Sequence, residues 1–185
     1  MINVNDLKVG MTIMYENNIY SVMDTQHVKP GKGAAFVQAK LKNLRNGSIV
    51  ENRFNSSDKV EPARIEKKAM QFLYAMNDTY YFMNMSDYEQ IELSKALIGD
   101  DAELLKENLE VDIMFFEGEM LGMNLPDKIA LKVIHTEPAV KGNTTSSAMK
   151  DATLETGKVI KVPLFIEEGE ELLISSKDGK YVSRA

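Results

Sequence analysis

The clearest chemical feature of the sequence is the short stretch Lys29-Pro30-Gly31-Lys32-Gly33. Proline fixes φ and glycine tolerates positive φ, so the stretch predicts a tight loop with Lys32 at its tip. A cation on a loop of small residues can approach an anionic ligand closely, because no bulky neighbour stands in the way. The alternative is an ordinary glycine-rich turn with a solvated lysine, and the loop alone leaves both interpretations open.

The residues that follow the loop add further positive charge. Residues 29–54 contain six cations, against Glu51 as the one carboxylate: Lys29, Lys32, Lys40, Lys42, Arg45 and Arg53. Such a patch suits a phosphate backbone. We therefore predict an RNA contact made by Lys29, Pro30, Gly31, Gly33, Lys40, Lys42 and Arg45, together with the tip lysine.

Other kinds of site find little support in the sequence. The loop is not a phosphate-binding P-loop, because Gln26 and Gly33 stand where that motif needs glycine and Ser or Thr. The histidines, His27 and His135, are far apart and are predicted to be strand-end or core residues. The chain has no cysteine, which excludes disulfides and thiolate zinc sites. We expect no enzyme activity, metal or cofactor, although a site assembled from distant residues stays open.

Short strands and tight turns should position the loop. Residues 13–23 contain two apolar runs split by Glu16-Asn17-Asn18, which predicts a hairpin. Residues 36–44 alternate apolar and polar side chains, and Asn46-Gly47 predicts a tight turn to a partner strand. The apolar positions are Val37, Ala39 and Leu41, and the polar ones are Gln38, Lys40 and Lys42. These patterns favour a small barrel.

Prolines 62 and 126 suggest domain boundaries, giving domains 1–64, 65–126 and 127–185. In the middle domain we predict strands at 69–75 and 79–83 and a hairpin over 111–125. Helix starts are predicted at Ser86-Asp87-Tyr88-Glu89 and at Asp100, the second leading into a short helix with Leu104, Leu105 and Leu109. Strands interrupted by one short helix are typical of an OB-type barrel.

The third domain repeats the short-strand pattern. Strands are predicted at 129–136, 158–162, 171–175 and 181–183, and residues 142–153 are predicted to form an exposed loop. The fold class is therefore mainly β, with three small barrels.

Charge is unevenly distributed along the chain. The net charge is −6, but residues 1–64 carry +3, residues 65–126 carry −9 and residues 127–185 carry 0. A basic end could bind RNA while an acidic middle avoids nonspecific contact, although an incidentally acidic surface is the alternative. No secretory signal or membrane-length apolar run is visible, so we expect a soluble cytoplasmic protein with no membrane partner.

Two distant motifs make the chain resemble bacterial translation elongation factor P along essentially its whole length. The first is Lys29-Pro30-Gly31-Lys32-Gly33-Ala34-Ala35-Phe36, which is similar to the family's tip loop. The second runs from Lys150-x-Ala152 through Gly157, Ile160-x-Val162-Pro163 and Ile166 to Gly169, and the ending at residues 179–184 is also family-like.

The resemblance implies an SH3-like domain followed by two OB-type domains in an L-shaped arrangement that imitates transfer RNA. It also implies a non-enzymatic translation factor that binds both ribosomal subunits between the peptidyl and exit sites, at stalls such as consecutive prolines. Lys32 would reach the CCA end of the peptidyl-tRNA, and a modifying enzyme could lengthen its side chain. The factor is expected to be a monomer.

The sequence departs from the family pattern in the third domain. It has Gly142-Asn143-Thr144 where the family commonly has Gly-Asp-Thr, and Asp151 where it often has proline. The resemblance implies that this loop faces the small subunit or messenger RNA. Three alternatives stay open: a paralogue with another stall preference, an OB-fold RNA-binding module without ribosome affinity, and an enzyme that uses the Lys32 loop as an anion site.

Overall fold

The computed structural model describes residues 1–139 and 148–185, whose regular structure is almost entirely β-strand. The strands form three curled sheets, one of six strands and two of five. This confirms the prediction of a mainly β protein with three small domains.

The first sheet has the strand order β1-β6-β2-β3-β4-β5. A short 3₁₀ helix, Val4–Asp6, follows its first strand. The strands are β1 (Ile2–Asn3), β2 (Thr12–Tyr15), β3 (Asn18–Val28), β4 (Phe36–Asn43), β5 (Ile49–Asn55) and β6 (Lys59–Pro62).

Local sequence explains the hairpins of this sheet. Glu16 and Asn17 connect β2 to β3 with φ values of 49° and 62°, and positive φ at both positions suits the twist of a two-residue hairpin. Between β4 and β5, Gly47 has a φ of 77°, and the Asn43 side chain accepts the backbone N–H of Arg45 at 2.8 Å. Both predicted hairpins are confirmed.

The alternation predicted for β4 is also confirmed. Its three apolar side chains, Val37, Ala39 and Leu41, are all 0% exposed, and the three polar ones between them face solvent. The buried face of β4 packs into the core of the first domain, with Val4, Leu7, Ile13, Tyr20, Val22, Phe54 and Val60. Burial of this face fixes the register of β4, because a shift by one residue would bury its lysines.

The second sheet has the order β11-β10-β7-β8-β9. Its strands are β7 (Glu66–Met76), β8 (Thr79–Asn84), β9 (Gln90–Ser94), β10 (Glu110–Phe116) and β11 (Glu119–Asn124). A helix, α1 (Lys95–Ile98), and a 3₁₀ helix, Gly99–Leu104, lie between β9 and β10. The predicted β10–β11 hairpin is confirmed, with positive φ at Glu117 and Gly118.

The helix start predicted at Ser86 is wrong. Asp87 accepts the backbone N–H of Glu89 at 2.9 Å, and Tyr88 has a φ of 63°. This local side-chain turn competes with a helix, and β9 follows it directly. The helix cap is Ser94, whose hydroxyl accepts the N–H of Leu97 at 3.3 Å.

The predicted helix through Leu104, Leu105 and Leu109 is displaced toward the N-terminus. Helical structure ends at Leu104, and the chain then runs alongside β7. Phe72 donates its N–H to the Leu109 carbonyl, and Asn108 donates to the Phe72 carbonyl, both at 2.8 Å. Pairing with β7 satisfies these backbone groups and prevents the helix from continuing.

The third sheet has the order β14-β13-β12-β15-β16, and β14 also lies beside β16. Its strands are β12 (Lys128–Thr136), β13 (Met149–Leu154), β14 (Val159–Pro163), β15 (Glu171–Ser175) and β16 (Tyr181–Arg184). The residues of the second motif have mainly structural positions. Ile160, Val162 and Ile166 are buried, and Gly157 and Gly169 occupy turns with φ of 90° and 86°.

One predicted loop in the third domain is partly wrong. Residues 149–153 belong to β13, and Ala152 and Leu154 are buried there at 1% and 0% exposure. The polar residues Lys150 and Asp151 obscured the alternation, which is clear only once the partner strands are known. The rest of the predicted loop, including Gly142, Asn143 and Thr144, lies outside the described residues.

The chain divides into two compact units. Residues 1–67 with 114–122 form one, and residues 68–113 with 123–185 form the other. Among the helices described, none has the length and apolar character needed to cross a membrane.

Candidate nucleic-acid interface at the Lys32 loop

The loop that carries Lys32 connects β3 to β4, as predicted. Val28 and Phe36 form the last strand pair, and residues 29–35 project beyond it with the Lys32 side chain exposed. Gly33 has a φ of +100°, whereas Gly31 has no positive φ. A Cβ atom at either glycine would meet nothing within 4 Å. The positive φ therefore favours glycine at position 33. Neither Gly31 nor Gly33 is needed to avoid a steric clash.

The base of the loop is tied to the rest of the first domain. Ser56 donates its backbone N–H to the Ala35 carbonyl at 3.2 Å, and Asn5 donates its side-chain N–H to the Ser56 carbonyl at 2.7 Å. A cavity of about 450 Å³ opens at this base, lined in part by His27 and Lys29. The fixed base and the projecting tip together make Lys32 the outermost cation of the loop.

Arg53 extends the cationic surface next to the loop. Its guanidinium carbon lies 3.6 Å from the centre of the Phe36 ring, a cation–π contact that holds the charge at the first residue of β4. In the described part of the chain, Lys29, Lys32 and Arg53 have no carboxylate within ion-pair distance. These three charges are therefore available to an anionic ligand.

The middle of the predicted patch is less cationic than the sequence suggested. Lys40 is exposed, but it lies directly opposite Asp24 on β3 and opposite Glu51 on β5. Lys42 lies opposite the uncharged Ser21 and Ile49. Counting residues 29–54 missed Asp24, because its strand precedes the loop and becomes a neighbour of Lys40 only through strand pairing.

Arg45 is held by protein groups. Its guanidinium donates to both carboxylate oxygens of Glu119 at 3.1 Å and to the Asn17 carbonyl at 2.8 Å. Glu119 belongs to the same compact unit, although it lies 74 residues further along the chain. In the described part of the chain, the positive charge of this region that has no carboxylate within ion-pair distance or directly opposite therefore lies on the Lys32 loop, on Arg53 and on Lys42.

The two histidines occupy strand ends, as predicted. His27 is exposed near the end of β3. His135 lies near the end of β12, where its ring nitrogens are 3.2 Å from Glu137 and 3.3 Å from Glu168. Sequence analysis missed these carboxylates, because Glu168 comes from a distant turn. Within residues 1–139 and 148–185, no group of three metal-binding side chains comes together.

Family comparisons agree with this organisation. Residues 3–60 match the elongation factor P (EF-P) KOW-like domain, residues 65–123 match the EF-P OB domain, and residues 129–184 match the elongation factor P C-terminal domain. The three matches follow one another along nearly the whole chain.

Two solved structures of translation initiation factors are similar to this chain. Eukaryotic translation initiation factor 5A from Methanococcus jannaschii is 29% identical, with a TM-score of 0.54 over 64% of this chain and 88% of that chain. A translation initiation factor eif-5a family protein from Naegleria fowleri is 16% identical and shares the fold, with a TM-score of 0.55 over 67% and 96% of the two chains. The matched domains define a translation factor. The chain belongs to the elongation factor P family, and membership implies association with the ribosome.

Proposed function

We propose that this protein binds the ribosome between the peptidyl and exit sites and promotes peptide-bond formation at stalls such as consecutive prolines. It does so by placing Lys32 against the CCA end of the peptidyl-tRNA. One observation carries the proposal: Lys32 is the exposed tip of a β3–β4 loop in the domain that matches the EF-P KOW-like family.

The proposed mechanism is positioning. A prolyl substrate that is poorly held must lose conformational freedom before it reacts, and a bound cationic loop can supply that order in advance. A rate gain of about a hundredfold corresponds to about 3 kcal/mol of barrier. The ribosome performs the chemistry, so Lys32 needs no general base beside it.

Two cations near the base of the loop orient its tip. Lys29 and the Arg53 guanidinium stacked on Phe36 flank the loop base, where they can neutralise phosphates of the RNA backbone. Lys40 contributes less charge than its position suggests, because Asp24 and Glu51 lie opposite it. The backbone contacts orient the loop, and Lys32 alone extends to the reacting end.

Lys32 is also the proposed site of a covalent modification that lengthens its side chain. Its exposure, and the open space around both flanking glycines, would admit a modifying enzyme. Intact-mass measurement of protein from its native host should show one adduct, which the Lys32→Arg variant should lack. An unmodified native mass would contradict this part of the proposal.

The function is tested with the purified parent protein and ribosomes. Timed synthesis of a peptide with three consecutive prolines should accelerate when the protein is added, and a matched peptide without prolines should not. Co-sedimentation with ribosomes should accompany the effect. A paralogue would bind ribosomes but act on another stall sequence, whereas a free RNA-binding module or an enzyme would not co-sediment.

A further inference from the structure

The N-terminal segment of the chain lies beside the base of the Lys32 loop. Its strand β1 (Ile2–Asn3) pairs with β6, and the 3₁₀ helix Val4–Asp6 follows directly. Val4 is fully buried in the core of the first domain and anchors this helix, whereas the Asn5 side chain is exposed. The core thus fixes the helix and leaves the side chain of Asn5 to reach the neighbouring turns.

Two hydrogen bonds fix the backbone at the start of the 3₁₀ helix. The Asn3 side chain accepts the Asn5 backbone N–H at 2.9 Å and caps the helix. Val4 donates its backbone N–H to the Asp58 carbonyl at 3.1 Å. Asp58 belongs to the turn between β5 and β6, so the Asn5 side chain extends from a defined point next to that turn.

A relay of two further hydrogen bonds leads from Asn5 to the loop. The Asn5 Nδ2 group donates to the Ser56 carbonyl at 2.7 Å, and the Ser56 backbone N–H donates to the Ala35 carbonyl at 3.2 Å. Ser56 is half-buried in the β5–β6 turn, and Ala35 is the last residue of the loop. The Asn5 side chain therefore holds the turn that in turn holds one end of the loop.

Open space beneath the loop makes this tie important. The cavity of about 450 Å³ at the loop base is lined by Asn5 and Ser56 as well as by Lys29 and Ala35. Space of this size would let the loop move toward the N-terminal segment once the tie at Ala35 is broken. The orientation of the loop tip therefore depends on the relay, and not on close packing under the loop.

From these contacts we infer that Asn5 is a positioning residue for Lys32, which acts through Ser56 and Ala35 to direct the loop tip at the peptidyl end. The inference rests on the proposed function, because that function gives the orientation of Lys32 its importance. A group that orients a reacting end changes the rate of the step, and a displacement of about 1 Å can cost about a hundredfold. Loss of the relay should therefore slow the reaction without weakening ribosome binding.

The first test measures triproline synthesis by ribosomes over a range of concentrations of the full-length protein. Asn5→Ala should lower the rate at saturating protein about fivefold, the equivalent of one hydrogen bond of about 1 kcal/mol. The concentration that gives half of the maximal effect should stay unchanged. A merely structural role would do the opposite, because a smaller folded fraction raises that concentration and leaves the saturating rate intact.

Two further variants sharpen the comparison. Asn5→Asp keeps the shape of the side chain but has only acceptor oxygens, so it should be at least as slow as Asn5→Ala. Asn18→Ala is the matched control, because it removes another side-chain amide bond to a carbonyl, from Asn18 to Glu16 at 3.4 Å in the β2–β3 hairpin. This control should act like the parent protein. A parent-like saturating rate for Asn5→Ala or Asn5→Asp would overturn the inference.

NMR of the free protein separates this inference from the proposed function. Asn5→Ala should shift the amide signals of residues 29–35 and speed amide exchange at Ser56, whereas Asn18→Ala should do neither. Unchanged signals and exchange would overturn the inference even if the parent protein accelerates synthesis. If the parent protein does not accelerate triproline synthesis, the proposed function fails, and the NMR comparison alone then decides whether Asn5 orients the loop.

Discussion

Gly31 and Gly33 flank Lys32 symmetrically in sequence, yet the structure predicts opposite results when each is replaced by alanine. Gly33 has a φ of +100°, and left-handed backbone costs an L-residue about 1–2 kcal/mol. The alanine also restricts the unfolded chain, which returns about 0.4–1 kcal/mol. The expected net loss of stability for Gly33→Ala is therefore about 1 kcal/mol.

Gly31→Ala is the matched control, because its φ lies outside the left-handed range and its Cβ meets no atom within 4 Å. Restriction of the unfolded chain should then dominate and stabilise the protein by up to about 1 kcal/mol. Urea unfolding followed by the amide signals of β3 and β4 measures both changes in the domain that carries the loop.

The same pair tests the role of the loop in function. Alanine at position 33 would be strained at this φ, and relief of that strain would turn the loop and move the Lys32 side chain. Gly33→Ala should therefore also slow synthesis through consecutive prolines. Gly31→Ala should retain most of the parent rate. Equal stability and equal rates for the two variants would show that the loop is not held in the conformation described.

Three further predictions concern the other parts of the chain. Burial, and to a smaller extent the negative charge of Asp100, raises the pKa of Asp101 above its ordinary value of 3.8. The ionised carboxylate therefore lowers the stability of the folded protein at pH values above the raised pKa, and this loss of stability disappears as the pH falls through the raised pKa. Asp101→Asn should thus raise the melting temperature at neutral pH but not near about pH 3. Ile166→Ala should cost about 2–5 kcal/mol in urea unfolding because Ile166 is fully buried, whereas the exposed Val159→Ala should cost less than about 0.5 kcal/mol. Glu119→Gln should remove the ion pair with Arg45 and cost about 0.2–1 kcal/mol, a loss that decreases in 1 M salt when measured by the same unfolding assay.

Features set by neighbouring residues were predictable from the sequence. The alternation of β4, the turns at Glu16-Asn17 and Glu117-Gly118, and the Lys32 loop depend on side-chain period and on residues that tolerate positive φ. The structure confirms all of them, since tertiary contacts reinforce the local preference at these positions.

Features set by strand pairing were not predictable. Strand β13 was missed because Lys150 and Asp151 are polar, and only the burial of Ala152 and Leu154 against partner strands reveals the strand. The helix near Leu104 was displaced because the backbone at Leu109 pairs with Phe72 instead. Both errors arose where a distant partner decided between two local alternatives.

The charge pattern of the candidate site also depends on residues that are distant in sequence. A count of charges along residues 29–54 cannot include Asp24 or Glu119, which reach Lys40 and Arg45 only in the folded chain. In the folded chain Arg45 is held by Glu119 and Lys40 lies opposite two carboxylates, so the predicted basic patch is reduced to the loop, Lys42 and Arg53. The contact of Arg53 with the Phe36 ring was also not predicted. The exposed position of Lys32 in the β3–β4 loop follows from the local sequence alone.

The central claim, that Lys32 positions the peptidyl end, is tested most directly by timed synthesis of a triproline peptide with the Lys32→Ala variant. Lys32 is exposed, so the substitution should change stability by less than about 0.5 kcal/mol. Lys59→Ala, an exposed lysine on β6 of the same domain, controls for the lost charge and should act like the parent. Lys32→Ala should bind ribosomes, melt at the parent temperature and lose nearly all of the acceleration. If Lys32→Ala accelerates synthesis as much as the parent protein does, Lys32 does not position the peptidyl end.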